Sequence, residues 1–590
     1  MKPEWSRRDF LRLSAAAGAG ASLASSPGAA AAASNQNDEG RGTFEEATIA
    51  QLQTAMANRR TDAVELTNFY LDRIQKIDER GPHLNSVIEL NPDALAMAQA
   101  ADANRRRGRL MGPLHGIPVL LKDNIDTGDK MQTSAGSFAL VGQPAVRDST
   151  VAAKLRAGGA VILGKANLSE WANFRGFNSS SGWSGRGGQC NNPYAIDRNP
   201  CGSSSGSGAS VSANLCAVSL ATETDGSIVC PAHMNGVVGI KPTVGVTSRA
   251  GVVPISRTQD TIGPHARTVA DAAAVLTVIQ SRTFDGRDPA TGDVPLGRRG
   301  LSTRPSLPID YTQFVNPNGL RGSLIGVTRQ GIDNVSARTA AVFDEAIAAM
   351  RTAGATIVDL DDAGFVFPPG DGEFLVLLFD FVDDLRAYFR TRVGVPMAGA
   401  TLDDLIAFNK ANAAVELPFF QQEIFELAAA LEPGADTPQP IFGGLTYNQA
   451  LQIDKDAGGK NGIDAAVNQF HLHAIATPTG TPAWLTDLTQ GDRFEFGTSS
   501  LAAIVGYPIV NVPMGAIFGL PVGISFIGPA FSEPALISVA AGFEHATRAR
   551  IVPQLFETLP LDHVDGVPLS RRKRGDHSQQ GERRRMPHSM

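Results

Sequence analysis

The sequence has few cysteines and no excess of basic charge. Four cysteines in 590 residues are too few for a fold that depends on disulfides, and whether Cys190, Cys201, Cys216 or Cys230 pair cannot be deduced from the sequence. The 52 Lys and Arg against 59 Asp and Glu give a net charge of −7, which argues against a protein that binds nucleic acid by neutralising phosphates. The body of the chain also lacks a run of about 18 apolar residues, so no membrane span is expected after signal removal.

Metal-binding and phosphate-binding motifs are also lacking. The ten histidines are scattered, and His471-x-His473 has no second cluster to complete a metal site. The segment 159–165 is close to a phosphate-binding loop, but Ala166 replaces the required Ser or Thr and the intervening residues are apolar, which predicts a strand. We therefore expect no metal and no cofactor, and a chelator should leave the activity unchanged.

Both ends of the chain have compositions that do not indicate a folded domain. Arg7-Arg8 precedes Phe10-Leu11 and a weakly apolar, Ala-rich stretch, a pattern typical of a twin-arginine export signal over 1–34. The mature protein is then expected to be periplasmic or secreted. Residues 561–590 form a basic tail with few apolar residues, for which disorder is expected.

Between the ends, predicted helices and strands alternate. The hydrophobic spacing predicts helices at 64–78, 148–157 and 339–353. It predicts strands between and beside them, at 117–121, 160–163, 325–327 and 355–358. This order predicts an α/β fold with a large mixed central β-sheet covered by helices on both faces. We expect one domain over 35–560, with a mainly helical insertion at about 365–460 and a surface excursion at 285–318.

A run of Gly and Ser at 202–208 carries the first chemical signal. Such a run permits a sharp turn and brings hydroxyls near the start of the helix predicted after it. Gly202-x-Ser204-x-Gly206 also fits the nucleophile elbow of Ser-His-Asp esterases, which would make Ser204 the nucleophile. The preceding residues, 192–200, do not have the pattern of the strand that such an elbow requires.

Two further segments could supply a catalytic group. Thr222 to Ile228 follows a predicted strand at 217–221, and small polar residues at a strand end can present backbone N–H groups to an oxyanion. Lys122 ends the apolar run 117–121, where loss of hydration would lower its pKa and favour the neutral amine. A lone lysine is normally a surface charge, so this residue alone does not establish a base.

Taken together, these segments resemble the amidase signature family. The resemblance covers about 45–550 and includes HGIPVLLKDNIDT, GGAVILGKANLSEW, PCGSSSGSGASV and TETDGSIVCPA in that order. It implies the amidase-signature fold and a Ser–cisSer–Lys triad. By position, Lys122 is then the base, Ser203 the bridging serine after a cis peptide, and Ser227 the nucleophile. The resemblance also implies an oxyanion and substrate-binding loop, namely Thr224, Asp225, Gly226 and Ser227.

Two positions depart from the pattern common in the family. Many members have Gly-Gly-Ser where this chain has Asp225-Gly226-Ser227, and many have a glycine pair where it has Cys201-Gly202. Neither departure changes a side chain of the triad.

For Lys122 to be neutral near pH 7, its pKa must fall by about 3 units, which we expect from burial and from hydrogen bonds to the two serines.

The segment NLSEWANFRGFNSSSGWSGRGGQ is most similar to bacterial peptide amidases. This implies hydrolysis of C-terminal amides of peptides to acid and ammonia, while aryl or aliphatic small amides remain an alternative. The pocket walls are expected from 171–183, 365–460 and 480–500. An amidotransferase subunit acting on charged tRNA conflicts with the export signal and the acidic body. Oligomeric state stays open.

Overall fold

The computed structural model describes residues 44–292, 307–308, 310–332 and 335–560, together with the backbone of 563–564 and 567–568. The predicted signal, 1–34, and nearly all of the predicted basic tail lie outside the described residues. Within the described part, no helix is both long enough and apolar enough to cross a membrane.

The centre of the molecule is an eleven-stranded mixed sheet, in the order β1-β3-β2-β6-β8-β7-β12-β13-β11-β9-β10. Its strands are β1 Val87–Leu90, β2 Pro118–Lys122, β3 Val161–Ala166, β6 Val218–Glu223, β7 Val238–Lys241, β8 Thr261–Ala266, β9 Leu324–Val327, β10 Thr356–Asp359, β11 Ala474–Pro478, β12 Ile509–Ile517 and β13 Leu520–Ile527. Two small hairpins lie apart from it: β4 Trp183–Ser184 with β5 Gly188–Gln189, and β14 His563–Val564 with β15 Val567–Pro568.

The predicted strand at 117–121 lies in the middle of the parallel part of this sheet. Strand β2 pairs in parallel with β3 on one side and β6 on the other, and every residue of the three strands is buried. Apolar runs without alternation are what strands covered on both faces require. The predicted α/β class and mixed sheet are therefore confirmed.

Helices connect these strands and cover the sheet. They are α1 Ile49–Ala57, α2 Ala63–Arg73, α3 Ala94–Arg106, α4 Thr150–Ala157, α5 Ser205–Ser212, α6 Val229–Met234, α7 Val269–Ile279, α8 Ala337–Thr352, α9 Glu373–Phe389, α10 Leu402–Ala411, α11 Ala413–Glu416, α12 Glu423–Ala429, α13 Tyr447–Lys455, α14 Asp464–Phe470, α15 Ser500–Ala503 and α16 Glu533–Thr547. Segments Ile74–Glu79 and Asp456–Ile463 continue α2 and α13 with wider turns. Ser149 caps α4 by accepting a hydrogen bond from the N–H of Ala152, as the pattern of 148–157 predicts.

The insertion predicted at about 365–460 is helical, comprising α9 to α13. Its apolar side chains form a second core that includes Phe381, Phe389 and Phe425, and this core also takes in Trp171 and Phe174 from the segment after β3. The insertion is thus packed directly against one of the predicted pocket walls.

The described ends of the predicted surface excursion, 285–292 and 310–318, are mostly exposed or half-buried, as the prediction requires. Single side chains anchor them to the body: Asp288 is buried and pairs with Arg249, while the side chain of Tyr311 is fully buried in the main core. Each end also contains one short 3-10 helix, Pro289–Thr291 and Tyr311–Phe314.

Candidate active site

Lys122 is the last residue of β2, and its side chain points into a polar site rather than into solvent. Its Nζ donates to Ser203 Oγ at 2.8 Å and to Thr222 Oγ1 at 2.9 Å, with a longer contact to the Thr222 carbonyl at 3.3 Å. The sequence predicts hydrogen bonds to two serines. The second hydroxyl is instead that of Thr222, from the end of β6, and none of the hydrogen bonds among the described residues joins Lys122 to Ser227.

Burial controls the charge of this amine. The Lys122 side chain is fully buried, and the loss of hydration lowers its pKa to about 7, against the opposing effect of the carboxylates of Asp260 and Glu223. The predicted direction of the shift is confirmed. A substantial fraction of Lys122 is therefore neutral at neutral pH, as a general base must be.

Ser203 lies in the turn that leads from 192–200 into α5. The peptide bond between Gly202 and Ser203 is cis, as the resemblance implies. Gly202 is closely surrounded: a Cβ at this position would lie 2.2 Å from Ser169 Oγ and 2.6 Å from Asn173 Oδ1. No larger residue fits at 202 without moving these neighbours, so the turn that presents Ser203 is fixed by packing as well as by its own backbone.

Ser227 lies in the turn between β6 and α6. Glu223 shapes this turn, because its Oε2 accepts the N–H groups of Ile228 at 2.6 Å and Val229 at 3.0 Å. Gly226 has a φ of +81°, a left-handed conformation that glycine adopts readily. None of the hydrogen bonds among the described residues uses the Ser227 hydroxyl, so it is available to a substrate.

The other two residues of the predicted oxyanion loop are held by side chains outside it. Thr224 Oγ1 donates to Asp260 Oδ1 at 2.5 Å. Asp225 accepts hydrogen bonds from Ser499 Oγ at 2.5 Å and from Ser500 Oγ at 3.1 Å. The departure from the common Gly-Gly-Ser pattern is thus accommodated, since the extra carboxylate has two hydroxyl partners.

A cavity of about 210 Å³ brings most of the predicted residues together. Ser203 and the whole loop from Thr224 to Ser227 line it, whereas Lys122 lies behind Ser203. Most of the remaining wall comes from 172–181, 373–377 and 492–500, which lie within the predicted wall segments, whereas Val229, Ile255 and Thr479 lie outside them. Five residues of these three segments are large and apolar: Phe174, Phe177, Phe374, Leu377 and Phe494.

The alternative nucleophile, Ser204, makes backbone hydrogen bonds instead of contacting a histidine. Its hydroxyl donates to the Thr222 carbonyl at 3.0 Å. Two buried histidines have backbone partners as well: His265 contacts the Ile228 carbonyl, and His233 contacts the Thr481 carbonyl and the Gly523 N–H. Within the described residues, no Ser-His-Asp arrangement forms around Ser204.

Two features of the site could not be deduced from the sequence. Thr222 and Glu223 stand in the same motif as Ser227, but nothing in the sequence distinguishes their contacts from those of ordinary strand residues.

A disulfide joins Cys201 to Cys230, with 5.9 Å between their Cα atoms, while Cys190 and Cys216 are free and buried. This pairing resolves the question that the cysteine count left open.

One ring nitrogen of the His471-x-His473 pair is engaged by the backbone. His473 Nδ1 accepts the N–H of Leu324, the first residue of β9, at 3.0 Å. Among the described residues, no group of three or more His, Cys, Asp or Glu side chains is arranged to hold a metal ion.

Comparisons with known proteins identify the family. The family model for amidases matches residues 65–365. A probable amidase of Arabidopsis thaliana is 42% identical over 524 residues, covering 87% of this chain and 92% of the relative.

Two solved structures show the same overall fold. The native peptide amidase of Stenotrophomonas maltophilia is 46% identical with a TM-score of 0.78, covering 87% of this chain and 99% of that one. A peptide amidase in complex with the competitive inhibitor chymostatin is 47% identical with a TM-score of 0.79 and the same coverage. The chain therefore belongs to the amidase signature family and is a hydrolase that cleaves amide C–N bonds.

Proposed function

We propose that this amidase hydrolyses C-terminal carboxamides of peptides to the free acid and ammonia, with Ser227 as nucleophile, Ser203 as proton relay and Lys122 as base. One observation carries the proposal: a buried lysine with a pKa of about 7 donates to Ser203 at 2.8 Å, and Ser203 shares a cavity with Ser227. A neutral amine, a bridging hydroxyl and an unengaged hydroxyl are the groups that a Ser–Lys hydrolase needs.

In the acylation step, neutral Lys122 accepts the proton of Ser203 while Ser203 accepts the proton of Ser227. Ser227 Oγ forms a bond to the carbonyl carbon, and the backbone N–H groups of 224–227 stabilise the oxyanion, an effect worth roughly 3–4 kcal/mol for a good donor. The intermediate then expels the amide nitrogen, which receives a proton from Ser203 as the Lys122 ammonium returns its own. Ammonia leaves, and water cleaves the acyl-enzyme by the reverse path.

Two features favour a peptide substrate. The apolar walls of the cavity suit the side chain of a terminal residue, and the proteins that share 46–47% identity with this chain are peptide amidases. The Asp225 carboxylate lies in the same cavity, two residues before Ser227, where it can accept a hydrogen bond from a primary amide nitrogen.

Alanine variants test the triad. We expect Ser227→Ala and Lys122→Ala to lose amidase activity, measured as ammonia release, while circular dichroism and the unfolding midpoint show a folded protein. Ser204→Ala is the comparison for the rival nucleophile: its hydroxyl donates to the Thr222 carbonyl, so its removal should lower the activity only modestly. Full activity in Ser227→Ala, or loss confined to Ser204→Ala, would overturn the assignment.

A substrate panel tests the peptide specificity. The values of kcat/KM for peptide amides, aryl amides and simple aliphatic amides are compared, with the same assay of ammonia release for all three. We expect peptide amides with an apolar terminal residue to be preferred by at least about tenfold. A higher kcat/KM for aryl or aliphatic amides would replace the peptide proposal with that alternative and leave the triad untouched.

A further inference from the structure

The disulfide between Cys201 and Cys230 connects the two turns that present the catalytic hydroxyls. Cys201 stands two residues before Ser203, and Cys230 stands three residues after Ser227. Both cysteines line the same cavity as these serines. The bond therefore joins the two turns at the active site itself.

Hydrogen bonds attach the same two turns on the other side of Ser203. The Ser204 N–H donates to the Ser227 carbonyl at 3.3 Å, and the Ser204 hydroxyl donates to the Thr222 carbonyl at 3.0 Å. On the side before Ser203, Asn235 Nδ2 donates to the Pro200 carbonyl at 2.9 Å, and the disulfide supplies the covalent link. Ser203 is thus held between a hydrogen-bonded anchor and a covalent one.

We propose that the Cys201–Cys230 disulfide is a positioning element of the catalytic site, and that the enzyme has full activity only with this bond formed. The inference rests on the proposed triad. A relay through Ser203 requires Oγ contacts with both Lys122 and Ser227, and displacements of about 1 Å in such a constellation typically cost about a hundredfold in rate. Breaking the bond frees the turn on one side of Ser203 and loosens that geometry.

The other two cysteines do not interfere with a test of this idea. Cys190 and Cys216 are fully buried, and burial raises the pKa of the Cys190 thiol well above its usual range and that of Cys216 to about 12. Both remain protonated and shielded in the folded protein, and a protonated thiol is a poor nucleophile. Alkylation of the native, reduced protein should therefore label only Cys201 and Cys230.

The reductant in the test is dithiothreitol. One of its thiolates attacks a sulfur of the disulfide, which forms a mixed disulfide and releases the other cysteine as a thiolate. Its second thiol then closes the cyclic disulfide of the reductant and releases the remaining cysteine, so two protein thiols form as one dithiol is oxidised. Iodoacetamide and peptide mapping then measure the fraction reduced.

Two preparations of the full chain are compared with the oxidised enzyme: the dithiothreitol-treated protein and the double variant Cys201→Ala/Cys230→Ala. We expect kcat to fall by at least about tenfold in both, with a smaller change in KM and a slower reaction of Ser227 with a fluorophosphonate. The pH at which half of the maximal kcat/KM is reached should also move, because the hydrogen bond between Lys122 and Ser203 is no longer held in place. A purely structural role would lower the unfolding midpoint without changing that pH.

The control is Cys190→Ala/Cys216→Ala, which keeps the disulfide and should keep kcat within about twofold. A folded Cys201→Ala/Cys230→Ala variant with wild-type kcat and pH profile would overturn the inference. If that variant fails to fold, wild-type kcat in protein shown to be fully reduced at Cys201 and Cys230 would overturn it equally. Failure of the triad would appear separately, as activity retained in Ser227→Ala.

Discussion

At the scale of single residues, the charge state of Lys122 decides the pH dependence of the reaction. Burial lowers its pKa to about 7, against the carboxylates of Asp260 and Glu223. Below that pH the amine carries a proton and cannot accept another, so kcat/KM should fall about fiftyfold as the pH drops from 7 to 5. The measurement is a pH profile of kcat/KM for one peptide amide.

A histidine base would give a different profile. The pKa values of His233 and His265 are lowered by burial to about 4, so either of them would keep the enzyme active down to about pH 4. A flat rate between pH 5 and 8 would therefore contradict Lys122 as the base.

Gly202 offers a second prediction at this scale. An alanine Cβ there would lie 2.2 Å from Ser169 Oγ, so Gly202→Ala must displace the turn or its neighbours, at a cost of about 1–3 kcal/mol in the free energy of unfolding. Because Ser203 follows directly, kcat should fall as well. Urea unfolding and ammonia release measure the two effects.

The matched control is Gly286→Ala, where the nearest atom would be 3.9 Å from the added Cβ. We expect it to change stability by less than about 0.5 kcal/mol and to leave kcat unchanged. Equal stability and kcat in the two variants would mean that packing around Gly202 does not fix the turn.

At the scale of elements, one buried arginine, Arg175, connects the wall of the cavity to the helical insertion. Arg175 Nε lies 2.8 Å from Glu170 Oε1 with both side chains fully buried. The same guanidinium donates to the carbonyls of Phe420 and Gln421, just before α12, and lies 4.0 Å from the centre of the Phe420 ring. Arg175 thus joins the segment after β3 to the insertion, while its pair with Glu170 lies within that segment.

Arg175→Ala should cost at least about 1–3 kcal/mol in the free energy of unfolding, because it removes the donor to the Phe420 and Gln421 carbonyls. KM should rise too, since the attached segment 172–181 lines the cavity. Arg386→Ala, which removes an exposed pair with Asp383 in α9, is the control and should cost less than about 1 kcal/mol. Similar unfolding midpoints for the two variants would show that Arg175 does not hold the insertion.

Individual helices and strands are the part of the molecule that the sequence predicts best. Strand β2 and helix α4 lie within one or two residues of their predicted bounds, because an uninterrupted apolar run and a capped periodic segment are local signals. The contact of Lys122 with Thr222, the pairing of Cys201 with Cys230 and the burial of Tyr311 depend on residues distant in the chain. No pattern within one segment encodes such contacts.

The positions of the three proposed catalytic residues came from motifs matched to a family, and not from their local chemistry. A lysine after an apolar strand is ordinarily a surface charge, and its desolvation became evident only with the fold around it. The sequence predicts most of the segments that form the cavity walls, but not which of their side chains face the cavity.

At the scale of the whole molecule, the proposed destination of the protein is outside the cytoplasm. Replacement of Arg7 and Arg8 by lysine should keep the precursor in the cytoplasm of a host with a twin-arginine pathway, because the paired arginines are the part of the signal that the pathway reads. Cell fractionation and immunoblotting measure the distribution.

The same replacement of Arg571 and Arg572 in the basic tail is the control and should leave export unchanged. Export of the double variant Arg7→Lys/Arg8→Lys at the wild-type level would remove the twin-arginine proposal. The disulfide at the active site fits an oxidising compartment, where such bonds persist.

Covalent trapping of the nucleophile tests the central claim most directly. The full-length enzyme is treated with a fluorophosphonate, digested and mapped by tandem mass spectrometry, in parallel with Ser227→Ala and Lys122→Ala. The account predicts one adduct, on Ser227, that is absent in Ser227→Ala and forms at least about a hundredfold more slowly in Lys122→Ala. An adduct on Ser204, or labelling of Ser227 at an undiminished rate without Lys122, would contradict it.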